Sequence, residues 1–404
     1  METKTKTKTK TKRWTLLRHR IIVLTLAPVL LLWARLKYHI KVTPCPQLRK
    51  RQCLVVMNHQ TGFDQFFASL AAFPRHLYFI ASEDLFNLGL LSTLLRWAVA
   101  PIPIKKQTTD VNAVRNCIKV AREGGSICLA PEGNRTFSGL PCHSNPAITS
   151  LVKKLGLPLA IFRIEGGYGI QPRWSDVCRK GRMRAYVSRI IEPEEYADMS
   201  REELYALLQK ELFVDETQNG QEFHHKELAQ YIERAMYVCP NCGLSEYHSH
   251  QDIITCKKCG RQHRYLPNQR LEGIGWDFPF PYVAQWYQYQ ESYVNQLDVL
   301  SQLEKPLYED TADFSLVEPY KKKTLLIKAA KLQLFGNRLQ VADKTLFFDD
   351  IQVITVLGKN KLNVYHNEAL YQIKGDCRFN GLKYMNLFFR YKNQKAGEGD
   401  FLGI

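Results

Sequence analysis

Three groups of residues in this chain have types and spacings that could do chemistry. The run Asn58-His59-Gln60-Thr61-Gly62-Phe63-Asp64 sets a histidine five residues before an aspartate. On a regular helix that separation would point the two side chains about 140° apart. They can meet only if a turn at Thr61 and Gly62 lies between them, and Gly62 makes such a turn easy. A carboxylate on one ring nitrogen would fix the tautomer and leave the other nitrogen to take a proton, with His59 as general base and Asp64 as its orienting partner. The plainer alternative is a histidine that bonds backbone at a strand end. The second group, Pro131-Glu132-Gly133-Asn134-Arg135 and its continuation to Gly139, joins a glycine that lets a ligand come close to a guanidinium fork suited to phosphate. Glu132 could orient Arg135 or acceptor hydroxyls, though Glu132 with Arg135 is also what a surface ion pair looks like.

The third group is Cys239-x-x-Cys242 and Cys256-x-x-Cys259, two pairs separated by thirteen residues and each followed by glycine, Gly243 and Gly260. Two such knuckles put four thiolates within tetrahedral reach of one zinc, and with all ligands from protein the metal would be structural. A redox pair would need only one such motif in a thioredoxin-like setting. His248, His250 and His263 read as solvated or packing residues.

The elements that must position these groups read as an α/β layer. Short apolar runs at 53–57, 77–80, 102–104, 127–130, 159–164 and 183–189 alternate with helical patterns, which predicts a mixed sheet covered by helices. Asn145, Pro146 and Gly156 bracket one helix, and Asp110 with Gly124 and Gly125 brackets another, whose Val111, Val114, Ile118 and Ala121 share a face. Both motifs follow a strand, where α/β proteins put their chemistry.

Asn58-His59 with Asp64, followed about seventy residues on by Glu132-Gly133-x-Arg135, resembles the glycerolipid acyltransferase family over roughly residues 21–212. The resemblance implies that His59 and Asp64 form a catalytic dyad and that Glu132, Gly133 and Arg135 bind the acceptor phosphate. Asn58 joins the substrate-binding set. It also implies a basic residue after a short strand between the motifs, where Lys106 stands nearest. The donor would be acyl-CoA or acyl carrier protein, and the acceptor a lysophospholipid, foremost 1-acylglycerol 3-phosphate giving phosphatidate. Another lysophospholipid or a glycolipid is the alternative acceptor, and an inactive membrane or nucleic-acid adaptor the alternative class. The chain departs from the family at Lys106, which lacks the arginine fork, at Asn134 and Thr136, and in having only Pro158 for a usual pair of prolines. These changes touch the acceptor more than the chemistry.

The charge is one-sided. Residues 1–51 hold fourteen Lys and Arg against Glu2, so they carry most of the net +17. Such a terminus suits an anionic surface better than a basic groove along the whole molecule, and charge alone leaves both anionic lipid and nucleic acid open; with the family resemblance, nucleic acid is not expected as a partner. Residues 3–12 alternate Lys and Thr and read as a solvated tail. The apolar stretch 21–33 gives about 20 Å of helix against about 30 Å of hydrocarbon, which predicts an in-plane or re-entrant membrane anchor. Seven scattered single cysteines (Cys45, Cys53, Cys117, Cys128, Cys142, Cys178, Cys377) suit a reducing compartment, so the catalytic domain is expected on the cytoplasmic side.

The organisation expected is therefore a basic tail and anchor at 1–45, the catalytic domain at 46–236, a zinc ribbon at 237–268 and an aromatic-rich connector at 269–320. A β-rich domain at 321–393, a small barrel resembling a pleckstrin-homology fold, and a loose tail at 394–404 complete it. Aromatic residues from Trp276 to Tyr293 read either as packing for the ribbon or as a second membrane contact.

Overall fold

The computed structural model describes residues 13–82, 86, 90–104, 110–218, 220–318 and 323–404. Lys106 and the Lys-Thr tail lie outside the described residues. In chain order the first part runs α1 (Leu17–Tyr38), β1 (Ile40–Val42), α2 (Pro46–Lys50), β2 (Leu54–Met57), α3 (Asp64–Ala72), β3 (Leu77–Ser82), α4 (Leu90–Val99) and β4 (Ile102–Ile104). It continues with α5 (Val111–Arg122), β5 (Ser126–Leu129), α6 (Ile148–Leu155), β6 (Leu159–Glu165), α7 (Gly167–Ile170), β7 (Met183–Ile191), α8 (Pro193–Tyr196) and α9 (Arg201–Leu212). The strands form one mixed sheet in the order β1-β7-β6-β2-β5-β3-β4, antiparallel only between β6 and β7.

The central strands are unbroken apolar runs because both of their faces are covered. Val55, Met57 and Cys128 point to one side and pack with Ala34 and Tyr38 of α1 and Phe67 and Ala71 of α3. Leu54, Val56, Ile127 and Leu129 point to the other and pack with Cys117 and Val120 of α5, Val152 of α6 and Leu208 of α9. Helix ends follow the sequence signals: Asp110 Oδ1 accepts from the Ala113 N–H at 3.0 Å, and Gly156 closes α6 at φ +58. The buried face of α5 is Ala113, Cys117 and Val120, about one residue round from the expected one, and Val111 is exposed.

Helix α1 is longer than the apolar stretch predicts. Arg18, His19 and Arg20 at one end and Arg35 to Tyr38 at the other are helical too, giving 22 residues, about 33 Å, enough by length and composition to cross a bilayer. Its flanks are helical because the body binds them. At one end the backbone N–H groups of Trp14 and Thr15 donate to the Glu123 carboxylate at 2.8 and 2.7 Å, and His19 Nδ1 meets the Tyr78 hydroxyl at 3.2 Å. At the other, Tyr38 donates to Gln171 at 3.3 Å and β1 pairs with β7. Leu17, Ile21, Val29, Leu32 and Leu36 remain exposed, beside Leu90, Leu94 and Trp97 of α4.

Strands β8 (Val238–Cys239), β9 (Gly243–Leu244), β10 (Tyr247–His250), β11 (Ile253–Cys256), β12 (Gln262–Tyr265) and β13 (Leu271–Ile274) build the cysteine-bearing unit, with β10 to β13 as an antiparallel meander. Helix α10 (Val283–Gln296) packs on it through Trp286, whose indole N–H donates to Val238 O at 2.9 Å. The aromatic run is thus largely packing: Phe278 stacks on His263 at 4.3 Å, and both are buried.

Next come β14 (Tyr308–Val317), β15 (Thr324–Leu334), β16 (Arg338–Val341), β17 (Lys344–Phe347), β18 (Ile351–Leu357), β19 (Lys361–His366), β20 (Ala369–Gly375) and α11 (Gly381–Ala396). The seven strands curl into an antiparallel half-barrel, order β17-β16-β15-β14-β20-β19-β18, with α11 packed across it. Two strands and helix α10 lie inside what the sequence suggests is connector: β13 completes the ribbon's sheet and β14 sits in the middle of the half-barrel. The final residues also differ from the expected loose tail. Leu402 is buried, and its carbonyl accepts from Asn386 at 2.6 Å.

Candidate active site

Two loops meet at the carboxyl ends of β2 and β5. Asp64 begins α3 and is fully buried. Its Oδ2 accepts from His59 Nδ1 at 2.8 Å and from the Gln60 N–H at 2.7 Å, while Oδ1 accepts from the Thr61 hydroxyl at 2.7 Å and the Thr61 N–H at 3.0 Å. The helix N-terminus adds favourable potential for the same carboxylate. The turn that brings His59 and Asp64 together is therefore made by the aspartate and Thr61, not by glycine. Gly62 has space for a Cβ and no left-handed φ. With Nδ1–H donated to Asp64, Nε2 is the ring nitrogen left with a lone pair.

Asn58 is completely buried and differs from its expected part in substrate contact. Its amide donates to Ile164 O and accepts from the Ile164 N–H, both at 2.8 Å, so it stitches the end of β2 to β6. Both ends of the side chain are used, and Asn58 fixes the root of the loop.

Glu132 links the two loops. Oε1 accepts from the His59 N–H at 3.3 Å and Oε2 from the Cys142 N–H at 3.0 Å. Burial pushes its carboxyl up to about 8, against the pull of those two N–H groups. No hydrogen bond to Arg135 is found for it among the described residues. Gly133 adopts φ +61 with nothing near its Cβ position, so here the turn itself requires glycine. Burial lowers the pKa of Arg135, opposed by the negative charge of Asp64. A cleft of about 310 Å³ runs beside Glu132, lined also by Leu140, Cys142, His143 and Phe213.

Several contributors carry no sequence signal of their own. Thr61 sits within the first motif and could have been found there. Trp33 of α1 packs edge-on against Phe63, the residue before Asp64, at a ring distance of 4.9 Å, so the apolar helix abuts the dyad loop. Arg173 donates to Arg135 O at 3.0 Å from a point thirty-eight residues away.

The four cysteines also come together, with all their sulfurs within 4.8 Å of one another. Cys239 and Cys259 are 3.8 Å apart and Cys242 and Cys256 3.7 Å. A tetrahedron with metal–sulfur bonds of about 2.3 Å has edges of about 3.8 Å, so the donor set fits zinc. Gly243 and Gly260 turn the two knuckles at φ +71 and +73.

A mixed α/β sheet thus presents a His-Asp loop and a Glu-Gly-x-Arg loop at adjacent strand ends. Residues 39–164, which hold both loops, match the family described as Acyltransferase. The chain is 23% identical over 145 residues to the chloroplastic 1-acyl-sn-glycerol-3-phosphate acyltransferase BAT2 of Brassica napus, covering 34% of this chain and 40% of that one. It is 18% identical over 155 residues to 1-acyl-sn-glycerol-3-phosphate acyltransferase of Bacillus subtilis, covering 38% and 74%. This chain thus spans less than half the length of the Brassica protein. Among solved structures, the 1-acyl-sn-glycerophosphate acyltransferase PlsC of Thermotoga maritima is 19% identical, covers 48% of this chain and 78% of its own, and has a TM-score of 0.41.

Proposed function

We propose that the chain moves an acyl group from a thioester, acyl-CoA or acyl carrier protein, to the hydroxyl of a lysophospholipid, foremost 1-acylglycerol 3-phosphate. The observation that carries this reading is the 2.8 Å bond from His59 Nδ1 to a fully buried Asp64. Nε2 takes the proton of the acceptor hydroxyl as its oxygen attacks the thioester carbonyl. The tetrahedral intermediate collapses with cleavage of the C–S bond, and the proton passes from His59 to the departing sulfur. Ester and thiol are the products, and the histidine returns to its starting form. Positioned base catalysis of this kind contributes ~10² to 10⁴ in rate. Arg135, with Lys106 as its expected companion, would hold the acceptor phosphate.

Membrane attachment suits such an acceptor. Because both ends of α1 are bound to the same body, the helix lies along its surface, and its exposed leucines with those of α4 would enter one leaflet. The catalytic domain would face the cytoplasm, and the four thiolates would hold one structural zinc.

The test is acyl transfer by the purified full chain against a panel of lysolipids with both donor types. Phosphatidate formation at a rate far above other products supports the reading. Transfer to none of the panel overturns it.

A further inference from the structure

Arg173 connects the half-barrel to the acceptor loop. Arg173, only 3% exposed, lies after α7 and spreads its guanidinium over three backbone carbonyls. Nη1 donates to Arg135 O at 3.0 Å, Nε to Gly358 O at 3.3 Å and Nη2 to Val356 O at 3.1 Å. Gly358 is in the turn between β18 and β19, so a residue of the catalytic domain joins the Glu-Gly-x-Arg loop to a hairpin more than two hundred residues later. The ring of Phe137, two residues after Arg135, stacks on the guanidinium at 4.2 Å.

A buried cation is costly, and an apolar side chain of similar volume often fills such a space at least as well. Among the described residues Arg173 has no carboxylate partner, so ion pairing does not account for it. The surrounding charge is mostly positive. Lys359, on the same hairpin turn, donates to Asp176 at 2.7 Å, and Arg234 grips the same carboxylate at 2.8 and 3.0 Å. That acid is therefore fully engaged. Burial lowers the Lys359 pKa, Asp176 raises it, and the nearby Arg135 and Arg234 lower it further. Lys359 also donates to Ser175 O, so the hairpin turn is fastened to the segment that follows Arg173.

We infer that Arg173 is a positioning residue that clamps the Arg135 loop to the β18–β19 hairpin, which Lys359 fastens to Ser175 and Asp176, and that this clamp sets the grip of Arg135 on the phosphate of the acceptor. This rests on the proposed function for the identity of the ligand, though not for the mechanical link. A scaffold role alone would disturb both substrates alike, whereas this arrangement acts on the phosphate-bearing one. Lysine at 173 retains charge without the three-way fork, so it should not replace arginine.

The experiment uses the full chain with Arg173→Ala, Arg173→Lys and Lys359→Ala. Steady-state KM is measured for 1-acylglycerol 3-phosphate, for a monoacylglycerol lacking phosphate, and for the thioester, beside amide hydrogen exchange over residues 133–138. Both Arg173 variants should raise KM for the phosphate acceptor at least tenfold and Lys359→Ala about threefold. KM for the thioester and the phosphate-free acceptor should stay within twofold, and exchange at 133–138 should quicken in the Arg173 variants. If Arg173→Ala does not fold, Arg173→Lys and Lys359→Ala decide. Acceptor and donor KM rising together, or an unchanged acceptor KM in both of those variants, overturns the inference. Should the unaltered chain transfer to no lysolipid, the proposed function falls by itself. The exchange result then judges the clamp, and unchanged exchange in Arg173→Lys rejects it.

Discussion

The loop from Asn58 to Asp64 and the loop from Pro131 to Gly139 stand side by side, yet they are held in opposite ways. In the first, the Asp64 carboxylate collects donors from His59, Gln60 and Thr61, so the active geometry closes within a few residues of its own chain. In the second, the internal bonds to Thr136 Oγ1 from Ser138 and Gly139 frame only the far half. The Arg135 half leans on Arg173, on the half-barrel hairpin and, through Phe137, on the core shared with the cysteine unit. The bonds inside the dyad are thus local, with Asn58 and Glu132 rooting its loop within the same sheet, while the acceptor grip depends on parts of the chain added far downstream. One loop supplies chemistry; the other supplies a choice of substrate that remote structure can tune.

The largest expected effect comes from breaking the self-contained loop. His59→Ala should lower kcat by ~10² to 10⁴ with little change in acceptor binding or melting temperature, because the base is lost and the second loop is untouched. Asp64→Asn should lose nearly as much, since the ring then lacks its carboxylate. Turnover near that of the unaltered chain in folded His59→Ala would show the dyad to be idle.

The second loop should instead respond to damage far away. Cys239→Ser, or stripping metal with a chelator, should lower the melting temperature by several degrees or more, since the four-cysteine site and Phe137 belong to one packed core. Where the protein stays folded, the acceptor KM should rise before kcat changes. Metal analysis should return about one zinc per chain before treatment. A chelated protein with unaltered melting and kinetics would break the comparison.

The smallest effect is one of pH. Glu216 lies beneath the second loop, its N–H donating to Gly139 O at 3.1 Å, and burial pushes its carboxyl from the ordinary 4.5 up to about 8. The folded state then binds this proton more tightly than the unfolded one. Its stabilising contribution is complete below about 4.5 and is lost as pH rises through about 8. Glu216→Gln, which cannot ionise, should melt progressively higher than the unaltered protein between pH 5 and pH 9. A constant difference across that range would mean that Glu216 does not titrate as described.

The same contrast explains what could be read in advance. His59, Asp64, the knuckle cysteines and six strands of the sheet carry their signals in residue type and short spacing, and the strands recur within a residue or two of the predicted positions. Strand β1 was illegible because three residues, Ile40 to Val42, show no period, and only the pairing with β7 makes them a strand. The full length of α1 was hidden because its charged flanks look like an end, when His19 and Tyr38 are in fact seated on the body. Asn58 reads as a substrate contact from its motif and instead bonds β6, more than a hundred residues away. Arg173 sits in no motif at all. Each of these depends on a partner whose distance in sequence no local pattern encodes.

The parallel pairing of β1 with β7 sets a schedule for the newborn chain. Lys41 aligns with Arg184, so the seat for the end of α1 does not exist until more than 140 further residues have left the ribosome. At ~5 to 20 residues per second that interval is roughly 7 to 30 seconds. Throughout it, a 22-residue, largely apolar helix has emerged with the seat for its second end still missing. A bilayer surface close to the site of synthesis would shelter it, and the sheet would then assemble onto a helix already lying on lipid. On this account, making the protein away from membranes should cost soluble yield chiefly during translation, well before any question of activity arises.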